Sequence, residues 1–151
     1  MRQICTLLKM FVFAFMVLLV ITVAVGVIFR YVLQNTLSWA TEFPTLLFVW
    51  IVFFGAVIAF HEGKHIGFTV LLERLPTKVR GSTEILALIL LCGFFLFLTV
   101  AGFSVVITNW ESETEAMRLS YGLVYSCVPI SSILMLLESL GAMINKLKKG
   151  N

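Results

Sequence analysis

The sequence predicts an all-α integral membrane protein with four transmembrane helices and a short amphipathic helix on the cytoplasmic surface. Three observations support this fold class. Hydrophobic residues make up 60% of the 151 residues and charged residues only 13%, whereas soluble domains carry about 25% charged residues. The apolar residues form four runs, each long enough to cross a bilayer core of about 30 Å. The basic residues lie almost entirely outside these runs.

The first two runs predict spans at about residues 10–30 and 43–61. The first run has no ionisable residue before its last position and is longer than the apolar region of a signal peptide. We therefore predict that it is a retained helix. The second run carries Pro44 near its start, where a missing backbone N–H is tolerated.

The third and fourth runs predict spans at about residues 84–108 and 119–144. The third is apolar on all sides of a helix, so we expect it to face lipid. The fourth is interrupted by serines, Pro129 and Glu138, which favours packing against protein. The four spans make residues 1–151 one four-helix membrane domain.

The connection between the second and third spans has a pattern of its own. At about residues 65–75 the apolar side chains recur at helical spacing, and Pro76 ends the pattern. A helix of this length is too short to cross the bilayer. We predict that it lies flat on the membrane surface.

The distribution of lysine and arginine predicts the orientation. Of the 11 basic residues, two lie at the N-terminus, four between the second and third spans and three at the C-terminus, leaving only Arg30 and Arg118 on the other side. The positive-inside rule places both termini in the cytoplasm. The net charge of +3 is therefore a signal of topology, and we predict no nucleic-acid partner.

The spans contain few groups that could carry chemistry. An ionisable residue at the membrane midplane is a functional candidate, but the first three spans have none, and we expect Glu138 in the fourth to meet headgroup water, a lysine or another subunit. His61 and His65 stand four residues apart without further metal ligands. The three cysteines are widely spaced. We predict no catalytic residue, metal site or cofactor, and no enzyme.

The outer face offers candidate contacts with a partner. Arg30 ends the first span and Glu42 opens the second. Either Arg30 reaches the headgroups while Glu42 stabilises a helix N-terminus, or the two form an ion pair that presents the outer hairpin. The candidate partner-binding residues are Arg30, Trp39, Glu42, Glu111, Glu113, Glu115 and Arg118.

A second set of residues is suited to packing between helices. Gly55 and Ala59 form a small-xxx-small pair that permits close contact, either within the chain or with another polypeptide. Four helices without a polar interior favour a supporting subunit over a self-sufficient pore. The candidate packing residues are Trp50, Gly55, Ala59, His61, His65 and Glu138.

Together, residues 29–76 resemble the small membrane subunit of tripartite ATP-independent periplasmic (TRAP) transporters, the DctQ-like family. The second half of the chain matches this family mainly in hydropathy and length. The motifs that carry the resemblance are Phe29-Arg30-Tyr31, Ser38-Trp39-Ala40-Thr41-Glu42-Phe43, Phe48-Val49-Trp50, Gly55-Ala56, His61-Glu62-Gly63-Lys64-His65-Ile66 and Leu75-Pro76.

The resemblance implies a location and a set of partners. The location is the bacterial inner membrane. A periplasmic substrate-binding protein delivers an organic acid, such as a dicarboxylate, sialic acid or a sugar acid, to a large membrane subunit that holds the substrate and sodium sites. The small subunit braces that large subunit among the membrane lipids and helps to dock the binding protein. One departure from many relatives is Thr41, which stands beside Glu42 in place of a second acidic residue.

Two other classes of function remain as alternatives. A self-contained small four-helix secondary transporter acting as a dimer would be expected to carry a carboxylate within an early helix. A membrane anchor of a redox complex would need histidines within facing spans to hold haem. The sequence does not identify the transported acid, because the residues that select it belong to other chains.

Overall fold

The computed structural model describes residues 2–35, 37–62 and 77–149. These residues form helices joined by loops, with one isolated antiparallel bridge between Glu113 and Ser120. The predicted surface helix at about residues 65–75, with His65, lies outside the described residues. In chain order the helices are α1 (Arg2–Tyr31), α2 (Trp39–His61), α3 (Thr77–Thr108), α4 (Tyr121–Tyr125) and α5 (Cys127–Lys149).

The prediction of an all-α protein with four membrane-spanning helices is confirmed. Four stretches are long and apolar enough to cross a membrane, and they lie close to the predicted limits. The helices themselves are longer than the apolar runs at several ends, because a helix that has already formed extends into polar sequence at little cost. The four stretches are Gln3–Tyr31, Trp39–His61, Ile85–Thr108 and Tyr121–Ile144.

The fourth span is divided into α4 and α5 at Ser126. Pro129 has no N–H to donate to the carbonyl of Tyr125, four residues earlier, and this loss interrupts the helix. At the interruption, the Ser126 hydroxyl donates to the carbonyl of Leu123 at 2.7 Å. The interruption matches the kink that proline and serine residues favour at this point.

The backbones of the four spans lie in a row in the order α1, α2, α5, α3. Within the described chain, the backbone of α1 lies beside that of α2 and the backbone of α3 beside those of α4 and α5, while the Leu8 side chain of α1 also packs on Val57, Phe95 and Met135. Burial follows this order: 6% of the apolar stretch of α1 and 11% of that of α3 are buried, against 22% for α2 and 33% for the fourth span. The two end helices therefore expose most of their apolar surface.

The contact between α3 and α5 depends on small and polar side chains. Ser132 and Ser139 of α5 are fully buried. The Thr99 hydroxyl donates to Ser132 Oγ at 3.0 Å, and Cys92 Sγ lies 3.2 Å from Ser139 Oγ. Small side chains let helices approach closely, and in a membrane such contacts replace the hydrophobic effect as the force between helices.

A neighbouring cluster joins α2 to the same two helices. Val57, Phe95 and Met135 are buried against one another, and the ring of Phe60 meets that of Phe95 edge-on at 5.4 Å. This cluster holds the middle of the row together.

Gly102 lies at a close contact between α3 and α5 and provides a stability test. A Cβ at this position would lie 3.0 Å from Pro129 Cδ and 3.2 Å from Pro129 N. We expect Gly102→Val to force the two helices apart at a cost of about 1–3 kcal/mol, as overpacking usually does. Thermal unfolding of the purified protein in detergent measures the loss.

Gly93→Val is the matched control, because a Cβ at Gly93 of the same helix would meet nothing within 4 Å. The two variants carry the same change in helix propensity. Equal unfolding temperatures for both would show that the helices do not meet closely at Gly102.

Candidate functional site

Polar side chains gather at the two ends of the helix row. We call the end where α1 joins α2 and α3 joins α4 the loop end. The opposite end, where α1 begins and α5 finishes, is the termini end. The spans place one polar cluster at each end, and each cluster connects helices that are distant in sequence.

At the loop end, Glu42 in the first turn of α2 reaches the connection between α3 and α4 (residues 109–120, the α3–α4 loop). Glu42 Oε1 accepts a hydrogen bond from the N–H of Ala116 at 2.9 Å, and Oε2 accepts one from the N–H of Met117 at 3.0 Å. Hydrogen bonds to a carboxylate are stronger than those between neutral groups. Glu42 therefore fastens the α3–α4 loop to α2.

The α3–α4 loop also holds its shape by internal hydrogen bonds. The N–H of buried Thr114 donates to the carbonyl of Leu119 at 2.8 Å, and the Thr114 hydroxyl accepts from the N–H of Leu119 at 3.2 Å. Arg118 has a φ of 50°, in the left-handed region that produces a sharp reversal of the chain. The N–H groups of Ala116 and Met117 lie inside this reversal.

The loop is fixed at its far end by the start of α4. The Ser120 hydroxyl donates to the carbonyl of Trp110 at 2.6 Å and accepts from the N–H of Gly122 at 3.1 Å, which caps α4. A Cβ at Gly122 would lie 2.7 Å from Trp110 Cε3 and 3.0 Å from the carbonyl oxygen of Val106. Only glycine allows α4 to come this close to the end of α3.

Of the two alternatives for Arg30 and Glu42, no ion pair between them occurs within the described residues. Both oxygens of the Glu42 carboxylate accept hydrogen bonds from the α3–α4 loop, while the guanidinium of Arg30 lies 5.7 Å from the ring centroid of Tyr31. Glu42 does lie in the first turn of α2, where a negative charge is favoured. Of the other candidate outer residues, Trp39 begins α2 half-buried, and Glu111, Glu113, Glu115 and Arg118 are exposed on the α3–α4 loop.

The groups that the sequence did not reveal are the two backbone N–H donors in the α3–α4 loop. Every residue except proline has such a donor, so nothing about Ala116 or Met117 as residue types indicates the contact. In the sequence, the acidic residue at the start of α2 was the only sign of this contact. Its partner became visible only when the loop was folded.

At the termini end, His61 and Glu138 form a contact between α2 and α5. His61 Nδ1 lies 2.8 Å from Glu138 Oε1, and each side chain is about a quarter exposed, 27% and 26%. The expectation for Glu138 is thereby corrected, since its partner is a histidine of the same chain. Because His61 is the last residue of α2, this contact places Glu138 near the end of a span.

A second ion pair at the termini end joins Lys9 of α1 to Glu62, the residue that follows α2. Within the described residues, no group of three or more histidine, cysteine, aspartate or glutamate side chains could hold a metal ion. The polar groups at this end therefore connect helices: α1 to α2 and α2 to α5.

The remaining packing candidates lie on α2. A Cβ at Gly55 would meet nothing within 4 Å, so the described chain makes no close helix contact there, although Gly26 of α1 does approach Ala40, at 3.2 Å. Ala59 is half-buried. The ring of Trp50 packs edge-on against Phe54 at 5.3 Å, and its indole N–H is buried without an acceptor among the described residues.

Comparison with known proteins shows the family. Residues 18–149 match the family model for tripartite ATP-independent periplasmic transporters, DctQ component. The chain belongs to this family. It is a family of transporter components and not of enzymes. The family membership that residues 29–76 predicted by resemblance is confirmed.

Individual relatives carry matching descriptions. The chain is 41% identical over 59 residues to a putative TRAP transporter small permease protein of Haemophilus influenzae, covering 39% of this chain and 37% of that protein. It is 32% identical over 101 residues to the C4-dicarboxylate TRAP transporter small permease protein DctQ of Rhodobacter capsulatus, covering 66% of this chain and 44% of the relative. The match therefore spans less than half of either relative.

A third relative is matched over more of its length. The sialic acid TRAP transporter small permease protein SiaQ of Vibrio cholerae is 24% identical over 119 residues, which cover 79% of this chain and 69% of that protein. The names of these relatives thus mention two different substrates, a C4-dicarboxylate and sialic acid. Family membership together with the four spans makes this chain a multi-pass membrane protein.

Glu42→Ala tests the contact at the loop end. The N–H groups of Ala116 and Met117 would lose their acceptor, and hydrogen bonds to a charged group contribute about 1.5–3 kcal/mol. We expect amide exchange at these two residues to accelerate roughly tenfold or more. Hydrogen–deuterium exchange of the protein in lipid nanodiscs measures the change.

Glu111→Ala is the control for this variant, since it removes the same charge from an exposed position of the same loop. Its exchange at Ala116 and Met117 should equal that of the unmodified protein. If Glu42→Ala also left exchange unchanged, Glu42 would not hold the α3–α4 loop.

A double-mutant cycle tests the contact at the termini end. We expect His61→Ala and Glu138→Ala each to destabilise the protein, and the double variant to lose about 1 kcal/mol less than the sum of the two. Unfolding by denaturing detergent in mixed micelles gives the free energies. The control cycle pairs His61→Ala with Glu42→Ala at the opposite end, which should be additive. Additivity of the His61 and Glu138 variants would contradict the contact.

Proposed function

We propose that this chain is the small scaffold subunit of a sodium-coupled, binding-protein-dependent TRAP transporter that imports an organic acid. In this proposal it braces the large membrane subunit, which holds the substrate and sodium sites, and helps to dock the periplasmic binding protein. The C4-dicarboxylate and sialic acid in the names of relatives, together with sugar acids, are the candidate substrate classes.

The observation that carries the proposal is the position of the charged groups. Within the described residues, Arg30 and Glu42 lie at the loop end of their spans, while Lys9 and Glu138 pair with residues at the end of α2. A carrier that couples ions by itself needs a polar site near the midplane. Charged groups confined to the ends of the spans support a scaffold.

The arrangement of the helices supports the same function. A row of spans has two broad apolar faces, and the exposed end helices extend it further into the bilayer. Such a shape offers a long contact surface to a second membrane protein and a wide anchorage in lipid. We propose that the large subunit packs along this row, so that its moving part works against a frame of larger footprint.

The orientation is part of the proposal. The positive-inside distribution places both termini in the cytoplasm of a bacterium and the chain in its inner membrane. The loop end then faces the periplasm. There the α3–α4 loop, fastened by Glu42, presents Glu111, Glu113, Glu115 and Arg118 in a fixed arrangement to the binding protein.

Reconstitution tests the proposed function. The chain is co-reconstituted into proteoliposomes with the large membrane subunit of the proposed transporter, and the binding protein is loaded with a C4-dicarboxylate, sialic acid or a sugar acid. We expect uptake of one of these acids that requires an inward sodium gradient and all three proteins. Uptake of radiolabelled acid is the measurement.

Two outcomes would contradict the proposal. Uptake at the full rate without this chain would show that the large subunit needs no scaffold. Uptake by this chain alone, lost in Glu138→Gln, would support the alternative of a self-contained small four-helix transporter acting as a dimer.

In the same assay, replacing the three exposed glutamates of the α3–α4 loop with lysine tests docking. The rate should change most at low ionic strength, since salt screens exposed charges.

A further inference from the structure

A groove of about 280 Å³ lies between α1 and α2 at the loop end. Its lining includes Val23 and Val27 of α1 and Pro44 of α2, with Arg30 and Tyr31 at the end of α1. Seven residues of helix separate Val23 from Arg30, which places them about 10 Å apart along the helix axis. The groove therefore has an apolar interior and a positive charge at its outer edge.

The helix contact next to the groove explains its shape. Gly26 brings α1 close to α2, because a Cβ at this position would lie 3.2 Å from Ala40 Cβ. Val23 and Val27, on either side of Gly26 in the sequence, remain 45% and 50% exposed. At the loop end, this close contact leaves an open groove beside it.

Arg30 has no acidic partner among the described residues. The nearest acidic residue in sequence, Glu42, uses both carboxylate oxygens for the α3–α4 loop. The guanidinium lies over the ring of Tyr31 in its own helix, 5.7 Å from the ring centroid. At the end of a membrane span, an uncompensated guanidinium attracts an anion, and its planar set of donors matches a phosphate.

We propose that this groove binds one anionic phospholipid. The lipid phosphate meets the guanidinium of Arg30, and an acyl chain lies along Val23 and Val27 between α1 and α2. The charge at the edge and the apolar interior complement the two parts of this one ligand, whereas a free phosphate would use Arg30 alone. The site goes beyond the proposed transport function and does not rest on it.

A bound lipid at this place has a structural consequence. The backbone of α1 lies beside that of α2, and Lys9 and Glu62 already join the two helices at the termini end. A phospholipid in the groove joins them at the loop end. The lipid thereby adds a contact to a helix whose apolar stretch is only 6% buried within the described chain.

Native mass spectrometry of the full chain tests the site. The protein in detergent is titrated with phosphatidylglycerol or phosphatidylcholine, and the affinity for the first bound lipid is measured. We expect Arg30→Gln to weaken phosphatidylglycerol binding about fivefold, which corresponds to the ~1 kcal/mol that one basic side chain contributes at an anionic membrane surface. Phosphatidylcholine binding should weaken by a smaller factor, because its choline cation offsets the charge of the phosphate.

Val27→Trp tests the apolar part of the groove, because a larger side chain there occupies the space of the acyl chain. It should weaken the binding of both lipids. Two controls should bind as the unmodified protein does. Arg118→Gln removes an exposed charge at the same end of the bundle, and Val20→Trp adds the same ring at an exposed position of α1 outside the groove.

Three results would overturn the proposal. Equal effects of Arg30→Gln and Arg118→Gln would show attraction by general surface charge. Unchanged binding in Val27→Trp would show that the acyl chain lies elsewhere. Loss of the lipid on assembly with the large subunit, with a disulfide crosslink from Val27→Cys to that subunit, would show that the groove is a protein interface.

Discussion

Within the hydrocarbon of a bilayer the hydrophobic effect does not drive helices together. This bundle therefore depends on small side chains that let α5 come close to its neighbours. Ser132 and Ser139 are fully buried and meet Thr99 and Cys92 of α3. Gly102 has no side chain, and a Cβ at this position would clash with Pro129. α5 also packs against α2, and α1 packs against α2 in turn. The whole row therefore rests on how closely α5 can be approached.

The polar contacts between helices lie at the two ends of the row. Glu42 connects α2 to the α3–α4 loop, and His61 connects α2 to Glu138 of α5. Both contacts bring together residues more than seventy positions apart in sequence. A lone buried carboxylate is costly in a low-dielectric environment. Placing the Glu42 and Glu138 carboxylates at the ends, each with a partner, keeps the middle of the spans apolar.

This division suits a subunit that supports a transporter. In the part of the chain that the structure describes, the charged groups of the spans lie toward their ends, while the long exposed faces of α1 and α3 are available to lipid and protein. The loop end carries a shaped loop with exposed charges. The chain therefore combines a wide frame within the bilayer with one structured surface outside it, and the groove at Arg30 adds a place where lipid itself becomes part of the frame.

The sequence by itself determined the fold class, the four spans and the family, because hydropathy, basic residues and the motifs in residues 29–76 are local properties of the chain. It also indicated that Glu42 and Glu138 are unusual, since charges near apolar runs are costly. Their partners were decided only by tertiary structure. The partners of Glu42 are backbone N–H groups, which have no residue signature, and the pairing of Glu138 with His61 depends on how two helices pack. The order of the helices in the row could not be predicted from the sequence either. The neighbours of α5 are selected by side-chain shape at distant positions and not by periodicity along any one helix.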